Sequence, residues 1–271
     1  MDIYKYLRVS IDAALKAGDI VMHYYNHNNL QVTQKTDKSP LTKADIESSD
    51  LICEMLDKTG LPVLTEERPI PDHEERKNWL QYWLVDPLDG TKEFIKGIGE
   101  FTINIALIKE NKPFLGVILV PQVNQIFYGS PETGVFKYEN ESLPSKTSEN
   151  VMENAVPLHL SVFSDRINVA VSRSHPDGFT QSYINRIKEK YANLELIQAG
   201  SSLKFCLMAE GKINLYPRFS PTMEWDTAAG QAIIESMGYL MTEPDGNDFR
   251  YNKSTMLNGG FIAYHPSISL A

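Results

Sequence analysis

Six short apolar segments between residues 62 and 138 constrain the fold of this chain more than any other feature of its sequence. Apolar residues dominate each segment, and turn residues separate one segment from the next. This pattern is typical of strands joined in sequence. We therefore predict strands at 62–65, 80–85, 101–108, 114–120, 125–128 and 134–138, of which the last four form an antiparallel meander.

The pattern changes after a polar stretch at residues 139–157. Before the strands, apolar residues with helical spacing occupy 3–25 and 43–58. After the polar stretch, predicted strands at 168–171, 194–197, 212–216, 239–242 and 261–264 alternate with predicted helices at 176–190, 201–210 and 226–237. Such alternation is typical of an α/β layer. We therefore predict an N-terminal α+β part over 1–155 and a C-terminal α/β part over 156–271, with 139–157 as an exposed linker or loop.

The charge and the apolar content of the chain exclude several classes of function. The net charge is −9 over 271 residues, and the absence of a Lys/Arg run argues against a nucleic-acid polymer as partner. No apolar run approaches the roughly 18 residues of a membrane span, and the first residues lack a signal-peptide pattern. Cys53 and Cys206 lack metal-ligand spacing, so we expect free buried thiols in a reducing compartment. These features predict a cytoplasmic protein and leave its oligomeric state open.

Two aspartates follow the apolar residues 83–85 directly, in the sequence DPLDGT. Pro87 between them fixes one φ angle, and Gly90 permits a tight turn into the next segment. The first turn of a helix has unpaired N–H groups that bind phosphate, while carboxylates bind divalent cations. Asp86 and Asp89 therefore predict a metal- and phosphate-binding corner. The alternative is a capped turn between a strand and a helix, since Asp and Gly are common turn residues.

Three further acids stand at strand ends or helix starts. Glu66 follows the strand at 62–65, Asp226 lies in the first turn of the helix at 226–237, and Asp45 begins the helix at 43–58. Each has a plainer interpretation, as a surface acid for Glu66 and as helix caps for Asp226 and Asp45. Together with the DPLDGT acids, they supply the hard oxygen ligands that Mg²⁺ requires.

These acidic segments resemble the motifs of the inositol monophosphatase superfamily. DPLDGT, the Glu pair at 66–67 and WDTAAG at 225–230 carry this resemblance. The segments KTDKSPLTKAD, GTKEFIKGIGEFTINIALI, SRSH, GSSLKF and YPRF narrow it to the CysQ-type 3′(2′),5′-bisphosphate nucleotidases, over residues from about 35 to 261. The resemblance implies a layered αβαβα sandwich and an Mg²⁺-dependent, lithium-sensitive phosphatase.

The resemblance also implies a ligand set for two or three Mg²⁺ ions. Glu66, Asp86 and the backbone carbonyl of Leu88 would hold one ion. Asp86, Asp89 and Asp226 would hold a second, and Glu66 would reach a third, weaker ion. The acids of this corner would then be neutralised by the cations that they bind.

Catalytic roles follow from the same resemblance. Thr91 and Asp45 would orient the attacking water and help to deprotonate it, with Glu66 as the third catalytic residue. The backbone amides of Gly90 and Thr91 would cradle the scissile phosphate.

Substrate contacts are implied mainly in the second half of the chain. The second phosphate of a bisphosphate needs cationic partners, and Lys204 and Arg218 fit that need. In the plainer interpretation Lys204 reaches past its helix to solvent, Arg218 pairs with a surface acid, and His175 is a loop residue. The full substrate-contacting set that the resemblance implies is Gly90, Thr91, Ser172, His175, Ser201, Lys204, Arg218 and Asp226.

The resulting hypothesis is Mg²⁺-dependent hydrolysis of adenosine 3′(2′),5′-bisphosphate to AMP and phosphate, which clears a by-product of sulfate activation. The alternatives are an inositol monophosphatase-like enzyme with a broad sugar-phosphate range and a nucleotide-binding protein that has lost catalysis. Peripheral association with the inner membrane stays open. Arg68 and Glu224 depart from the family pattern, which leaves metal affinity and substrate preference open.

Overall fold

The structure is a computed structural model that describes residues 2–27, 32–34, 39–139, 147–173 and 177–270. Its helices are α1 (Ile3–His27), α2 (Lys43–Asp57), α3 (His73–Arg76), α4 (Thr91–Ile95), α5 (Ser148–Asn154), α6 (Gly178–Lys190), α7 (Leu203–Ala209) and α8 (Glu224–Met237). Its strands are β1 (Thr33–Gln34), β2 (Pro40–Leu41), β3 (Val63–Thr65), β4 (Gln81–Asp89), β5 (Thr102–Lys109), β6 (Lys112–Val120), β7 (Gln125–Ser130), β8 (Gly134–Glu139), β9 (Val156–Leu158), β10 (Ile167–Ser172), β11 (Leu194–Ala199), β12 (Leu215–Arg218), β13 (Thr222–Met223), β14 (Leu240–Thr242), β15 (Leu257–Asn258) and β16 (Phe261–Tyr264).

Seven strands form the first sheet, in the order β3-β4-β5-β6-β7-β8-β9. β3 pairs with β4 in parallel, and the later neighbours pair antiparallel, so the predicted meander is confirmed. Successive side chains of a strand point to opposite faces. Along β5, Ile103, Ile105 and Leu107 enter one core cluster, whereas Ala106 and Ile108 enter another. Both faces of the sheet are therefore apolar, and both require a covering layer.

Helices cover the first sheet on both faces. On one face, Ile11 of α1 and Ile52 of α2 share a core cluster with Trp83 of β4. On the other face, Phe205 of α7 and Ala228 of α8 join the strand residues of the opposite cluster. The first sheet is thus the second layer of the fold, between two helical layers.

The second sheet has the strand order β11-β10-β12-β16-β14 and lies beyond α7 and α8. Tyr216 and Phe261 of this sheet belong to the same core cluster as those two helices. On its outer face, Ile184 of α6 packs with Val169 and Leu215. The order of layers is therefore helix, sheet, helix, sheet, helix, and the αβαβα sandwich is confirmed.

Strand β4 extends past the predicted end at residue 85 and continues to Asp89. Asp86 pairs with Asn104 and Asp89 pairs with Thr102, so the register shifts between the two acids. Pro87 has no N–H to donate, and an interrupted ladder tolerates that loss. The two aspartates therefore belong to the irregular end of a strand, and the prediction that they follow the strand was wrong in this detail.

The prediction of an exposed linker at 139–157 was wrong in part, because α5 and β9 lie within it. Asp12 of α1 accepts hydrogen bonds from the backbone amide and the hydroxyl of Ser148, at 2.7 and 2.9 Å. β9 pairs with β8 at the edge of the first sheet. Both elements make contacts with distant parts of the chain, which a local sequence pattern does not contain. The remaining part of the predicted linker, residues 140–146, lies outside the described residues.

Two sequence predictions concern helix length and cysteines. In the described ranges, no helix has both the length and the apolar content required to cross a membrane. Cys53 and Cys206 are free and buried, as predicted. Burial raises the pKa of the Cys206 thiol well above its usual value, so this side chain stays protonated in the core.

Candidate active site

A pocket of about 390 Å³ opens at the irregular end of β4. The start of α4, the turn before α7 and the start of α8 complete its walls. The predicted site residues that line it are Glu66, Asp86, Leu88, Asp89, Gly90, Thr91, Ser172, Ser201, Lys204, Arg218 and Asp226. Asp45 does not line the pocket, but its carboxylate contacts the hydroxyl of Thr91, which does. His175 is outside the described residues.

Buried carboxylates determine the electrostatics of the pocket. Asp86 is only 1% exposed, and its burial, together with the charges of Glu66, Asp89 and Asp226, raises its pKa well above the usual value. Burial and the charge of Asp89 raise the pKa of Asp226 in the same way. Like charges in a poorly hydrated site repel one another unless a cation or a proton intervenes. A divalent cation therefore complements this group of acids.

Ser202 fixes the position of Asp89. Its backbone amide lies 2.6 Å from Asp89 Oδ2, and its hydroxyl lies 2.8 Å from the same oxygen. The hydroxyl is also 2.7 Å from the backbone carbonyl of Asp226 and accepts a hydrogen bond from Asn104 Nδ2 at 2.9 Å. Ser202 thereby joins the acid on β4 to the acid on α8. Ser202 lies inside the GSSLKF segment but is not among the site residues predicted from the sequence.

Asp226 and Asp45 are helix caps, as the plainer interpretation held. Asp226 Oδ2 accepts a hydrogen bond from the Met223 amide at 2.8 Å. Asp45 Oδ2 accepts hydrogen bonds from the amide and the hydroxyl of Thr42, at 2.7 and 2.6 Å. Capping uses Oδ2 in each case and fixes the orientation of the carboxylate. It is therefore compatible with a second role: Asp226 lines the pocket, and Asp45 Oδ1 reaches Thr91.

The first residues of α4 form one wall of the pocket. The Thr91 hydroxyl lies 3.2 Å from Asp45 Oδ1 and 3.2 Å from the Leu88 carbonyl, so the expected pairing of Thr91 with Asp45 is present. Gly90 precedes it at φ +92°, a conformation that strains other residues. A Cβ at Gly90 would lie 2.9 Å from the backbone oxygen of Glu100. Only glycine fits this turn without displacing its neighbours.

The oxygen donors of the pocket fit Mg²⁺. Glu66, Asp86, Leu88, Asp89 and Asp226 all line the pocket and carry the hard oxygen atoms that this ion prefers. Within the described part of the chain, no three His, Cys, Asp or Glu side chains already form a group that could hold an ion by themselves. Mg²⁺ usually takes one or two carboxylates and completes its octahedron with water and substrate phosphate. The donor set therefore suits ions that share their coordination with a bound phosphate.

Lys204 does not reach solvent, so the plainer interpretation of this residue is excluded. Its side chain is 1% exposed, and its ammonium donates to the carbonyls of Ala199 and Ser201, at 3.1 and 2.7 Å. The ammonium also lies 5.4 Å from the centre of the Tyr216 ring. Lys204 is thus a buried cation held at the pocket wall by the turn that precedes its own helix.

Several buried polar atoms along the pocket have no hydrogen-bond partner among the described residues. They are Ser201 Oγ, Arg218 Nε, Ser220 Oγ and Trp225 Nε1. Buried polar groups in native proteins are almost always satisfied, so each of these atoms indicates a place for a ligand or a water. Neither Ser220, which follows the YPRF segment, nor Trp225, which begins WDTAAG, is among the site residues predicted from the sequence.

Arg68 and Glu224, two of the departures from the family pattern, do not line the pocket. Arg68 pairs with Asp50 on the surface at 3.3 Å. Glu224 is fully buried, accepts hydrogen bonds from the amides of Asn252 and Lys253 at 2.8 and 3.0 Å, and pairs with the Lys253 ammonium at 2.8 Å. Neither side chain lines the pocket, and the charge of each is paired with an opposite charge.

Comparison with known proteins gives concordant matches. The profile of the inositol monophosphatase family matches residues 2–268. The chain is 42% identical over 252 residues to the 3′(2′),5′-bisphosphate nucleotidase CysQ of Escherichia coli K12, which covers 92% of this chain and 95% of that protein. It is 37% identical over 260 residues to the protein of the same name from Buchnera aphidicola, covering 92% and 90%. The crystal structure of CysQ from Bacteroides thetaiotaomicron matches with a TM-score of 0.85 and 41% identity, covering 96% of this chain and 97% of that one.

Proposed function

Because the chain belongs to the inositol monophosphatase family, we propose that it is a 3′(2′),5′-bisphosphate nucleotidase, which hydrolyses adenosine 3′,5′-bisphosphate to AMP and phosphate. The observation that carries the proposal is a single pocket that combines four acids with the cations Lys204 and Arg218. The acids suit metal-assisted hydrolysis, and the cations suit the second phosphate of a bisphosphate. The reaction would recycle the nucleotide that sulfate activation and transfer leave behind.

The proposed cofactor is Mg²⁺, as two or three ions. Glu66, Asp86 and the Leu88 carbonyl would hold one of them, and Asp86, Asp89 and Asp226 would hold another. When bound, the ions would supply Lewis-acid activation of a water and neutralise the phosphate charge. The orientation of this ligand set depends on Ser202, because Ser202 donates two hydrogen bonds to Asp89.

Thr91 and Asp45 are proposed to prepare the attacking water. In this proposal Thr91 donates its hydroxyl hydrogen to Asp45, which lies as near as the Leu88 carbonyl, and its oxygen accepts a hydrogen bond from the attacking water. Asp45, held by Thr42 through Oδ2, would accept through Thr91 the proton that this water gives up. The amides of Gly90 and Thr91 would bind the non-bridging oxygens of the phosphate. As the water oxygen bonds to phosphorus, the bond to the 3′ oxygen breaks, and that oxygen takes a proton from a solvent water as AMP leaves.

The second half of the chain is proposed to bind the rest of the nucleotide. Arg218 and Lys204 would pair with the second phosphate, and the hydroxyls of Ser172 and Ser201 would complete its contacts. The unsatisfied Nε of Arg218 and Oγ of Ser201 support this assignment. A contact from His175 stays a prediction.

We also place the reaction in the cytoplasm. The free, buried thiols of Cys53 and Cys206 support a reducing compartment.

The test is the release of phosphate with Mg²⁺ from adenosine 3′,5′-bisphosphate, inositol 1-phosphate and fructose 1,6-bisphosphate. We expect the highest kcat/KM for the nucleotide. An Asp89→Asn variant, purified in the same way, controls for a contaminating phosphatase and should release almost none. Equal or better turnover of the inositol ester would contradict the proposal and favour the inositol monophosphatase-like alternative.

A further inference from the structure

The carboxylate of Glu100 joins two segments of the C-terminal part that border the pocket. Its Oε2 accepts hydrogen bonds from the Gly200 amide and from Arg173 Nε, both at 2.8 Å. Its Oε1 accepts from Arg173 Nη2 at 2.6 Å. Arg173 therefore binds the carboxylate through two nitrogens, a geometry that fixes orientation better than a single contact. Ser172 and Ser201, the chain neighbours of these two partners, both line the pocket.

Neither side chain of the Glu100–Arg173 pair lines the pocket itself. Ser172 and Gly200 do line the pocket. Ser172 precedes Arg173 in the chain, and the Gly200 amide donates a hydrogen bond to Glu100. Any effect of the pair on a bound substrate would therefore be transmitted through these segments. Glu100 and Arg173 are for this reason candidates for positioning residues and not for catalytic ones.

The backbone of Glu100 lies against two neighbouring turns that both line the pocket. A Cβ at Gly90 would lie 2.9 Å from the Glu100 backbone oxygen and 3.3 Å from Ser201 Cβ. A Cβ at Gly200 would lie 3.1 Å from Glu100 Oε2 and 3.2 Å from the same backbone oxygen. Glu100 thus contacts both the turn that presents the phosphate-binding amides and the turn that presents Ser201.

The turn held by Glu100 also determines where the Lys204 ammonium lies. Lys204 donates to the carbonyls of Ala199 and Ser201, which flank Gly200. Ser201 adopts a φ of +40°, which is uncommon for a residue with a side chain and persists only where neighbours enforce it. The hydrogen bond from Gly200 to Glu100 is one such restraint. On the other side of Ser201, Ser202 is held separately by its bonds to Asp89.

We propose that the Glu100–Arg173 pair sets the affinity of the site for the nucleoside-monophosphate portion of the substrate, by holding Ser172, Ser201 and Lys204 at a fixed distance from the scissile-phosphate corner. The inference rests on the proposed function and adds to it a specificity-determining pair. Because Ser202 keeps its own bonds to Asp89, loss of the pair displaces the residues before Ser202 and leaves the metal corner in place.

The test uses two probes of the intact enzyme with Mg²⁺. AMP, the product, occupies the nucleoside-monophosphate portion of the site, whereas inorganic phosphate as an inhibitor occupies the scissile-phosphate corner. In Glu100→Gln we expect the Kd of AMP to rise about tenfold, since the charge-assisted bonds weaken. The inhibition constant of phosphate should stay within about twofold of the wild-type value, because the hydrogen bonds that hold the scissile-phosphate corner are unchanged. The KM of the bisphosphate should rise by about the same factor as the Kd of AMP, and kcat should change less.

A matched control is Glu139→Gln, which neutralises a carboxylate paired with Lys137 on β8, outside the pocket lining. It should leave both constants unchanged. If Glu100→Gln does not fold, Glu100→Asp replaces it, because the shorter side chain keeps the charge and cannot span both partners. The same selective loss of AMP affinity is expected there.

A double-mutant cycle with Arg173→Met separates positioning from direct contact. If Arg173 acts through Glu100, the double variant Glu100→Gln, Arg173→Met should have a Kd for AMP less than about twofold higher than that of Glu100→Gln alone. A second tenfold loss would show that Arg173 touches the nucleotide itself and would overturn the proposal. Unchanged AMP affinity in Glu100→Gln, or equal losses for AMP and phosphate together with a lower Tm, would also overturn it. Absence of bisphosphate hydrolysis by the wild-type protein would instead refute the proposed function.

Discussion

The backbone amide of Ser202 lies 2.6 Å from Oδ2 of Asp89, although 113 positions separate the two residues in the chain. The contact joins the irregular end of β4 to the turn that starts α7. The hydroxyl of the same serine reaches the backbone carbonyl of Asp226 at 2.7 Å. One side chain therefore sets the relative position of two acids that we propose as metal ligands, and metal affinity should depend on it.

Replacing Ser202 by alanine should weaken the use of Mg²⁺. The substitution removes the hydroxyl bonds to Asp89 and Asp226 and keeps the amide bond to Asp89. Partners that orient a metal ligand typically contribute about 10–100-fold to metal affinity, so the Mg²⁺ concentration for half-maximal activity should rise by about tenfold or more. Ser236→Ala, which removes a hydroxyl bonded to Ala232 within α8, is the control. An unchanged Mg²⁺ requirement in Ser202→Ala would contradict this role.

Asp86→Asn should abolish turnover and also stabilise the metal-free protein. Burial and three neighbouring acids oppose the charge of Asp86, and asparagine removes that charge while keeping an oxygen for the Leu88 amide. Each kcal/mol gained raises Tm by about 2–4 °C in a chain of this size. The measurement is thermal unfolding in chelator, with Asp50→Asn, at an exposed acid paired with Arg68, as control. A lower Tm for metal-free Asp86→Asn would show that the carboxylate is stabilising without a cation.

Gly90→Ala should impair folding and activity more than the same change at Gly246. Both glycines have a positive φ, +92° and +89°, so alanine is strained by its backbone at each. At Gly90 the new Cβ would also lie 2.9 Å from the Glu100 backbone oxygen, whereas nothing lies within 4 Å at Gly246. Backbone strain alone costs about 1 kcal/mol, which Gly246→Ala measures. Equal losses of unfolding free energy in the two variants would refute the close approach at Gly90.

Arg218→Met should discriminate between substrates with and without a second phosphate. We expect kcat/KM for adenosine 3′,5′-bisphosphate to fall by about 10–100-fold, the range of a charge-assisted hydrogen bond worth about 1.5–3 kcal/mol. Hydrolysis of 3′-AMP, which lacks the 5′-phosphate, should change much less. Arg186→Met removes an exposed guanidinium that lies over the Tyr183 ring and is the control for charge. Similar losses for both substrates would exclude a contact between Arg218 and the second phosphate.

Local patterns predicted the elements that contain a nearly continuous run of apolar residues. β5 and α8 are buried along almost their whole length, and the turn or cap residues beside each run mark its ends. The end of β4 was placed too early, because Pro87 indicates a turn, while the pairing of Asp89 with Thr102 continues the strand. α5 was missed although Thr147 caps its start locally, because the helix has few apolar residues and its first residue, Ser148, is held by the distant Asp12.

Some residues of the candidate site could likewise be predicted from local sequence, and others could not. The DPLDGT and WDTAAG motifs identified the acids that line the pocket, since these residue types carry the chemistry in their own side chains. The roles of Ser202 and Glu100 were not predicted, because serine and glutamate are common residues. The sequence around them does not indicate which distant groups they contact. The order of layers came from the family resemblance, because spacing along the chain does not determine how two sheets and their helices stack.

Helix α8 lies between the two sheets and has Asp226 in its first turn, beside acids from the first sheet. A gene cut between the meander and β10 would therefore yield two inactive polypeptides, one lacking an acid and the other lacking most of them. Co-expressed, the fragments would regain phosphatase activity only by reassociating around this helix. The enzyme is accordingly a candidate for a split reporter whose signal requires both pieces.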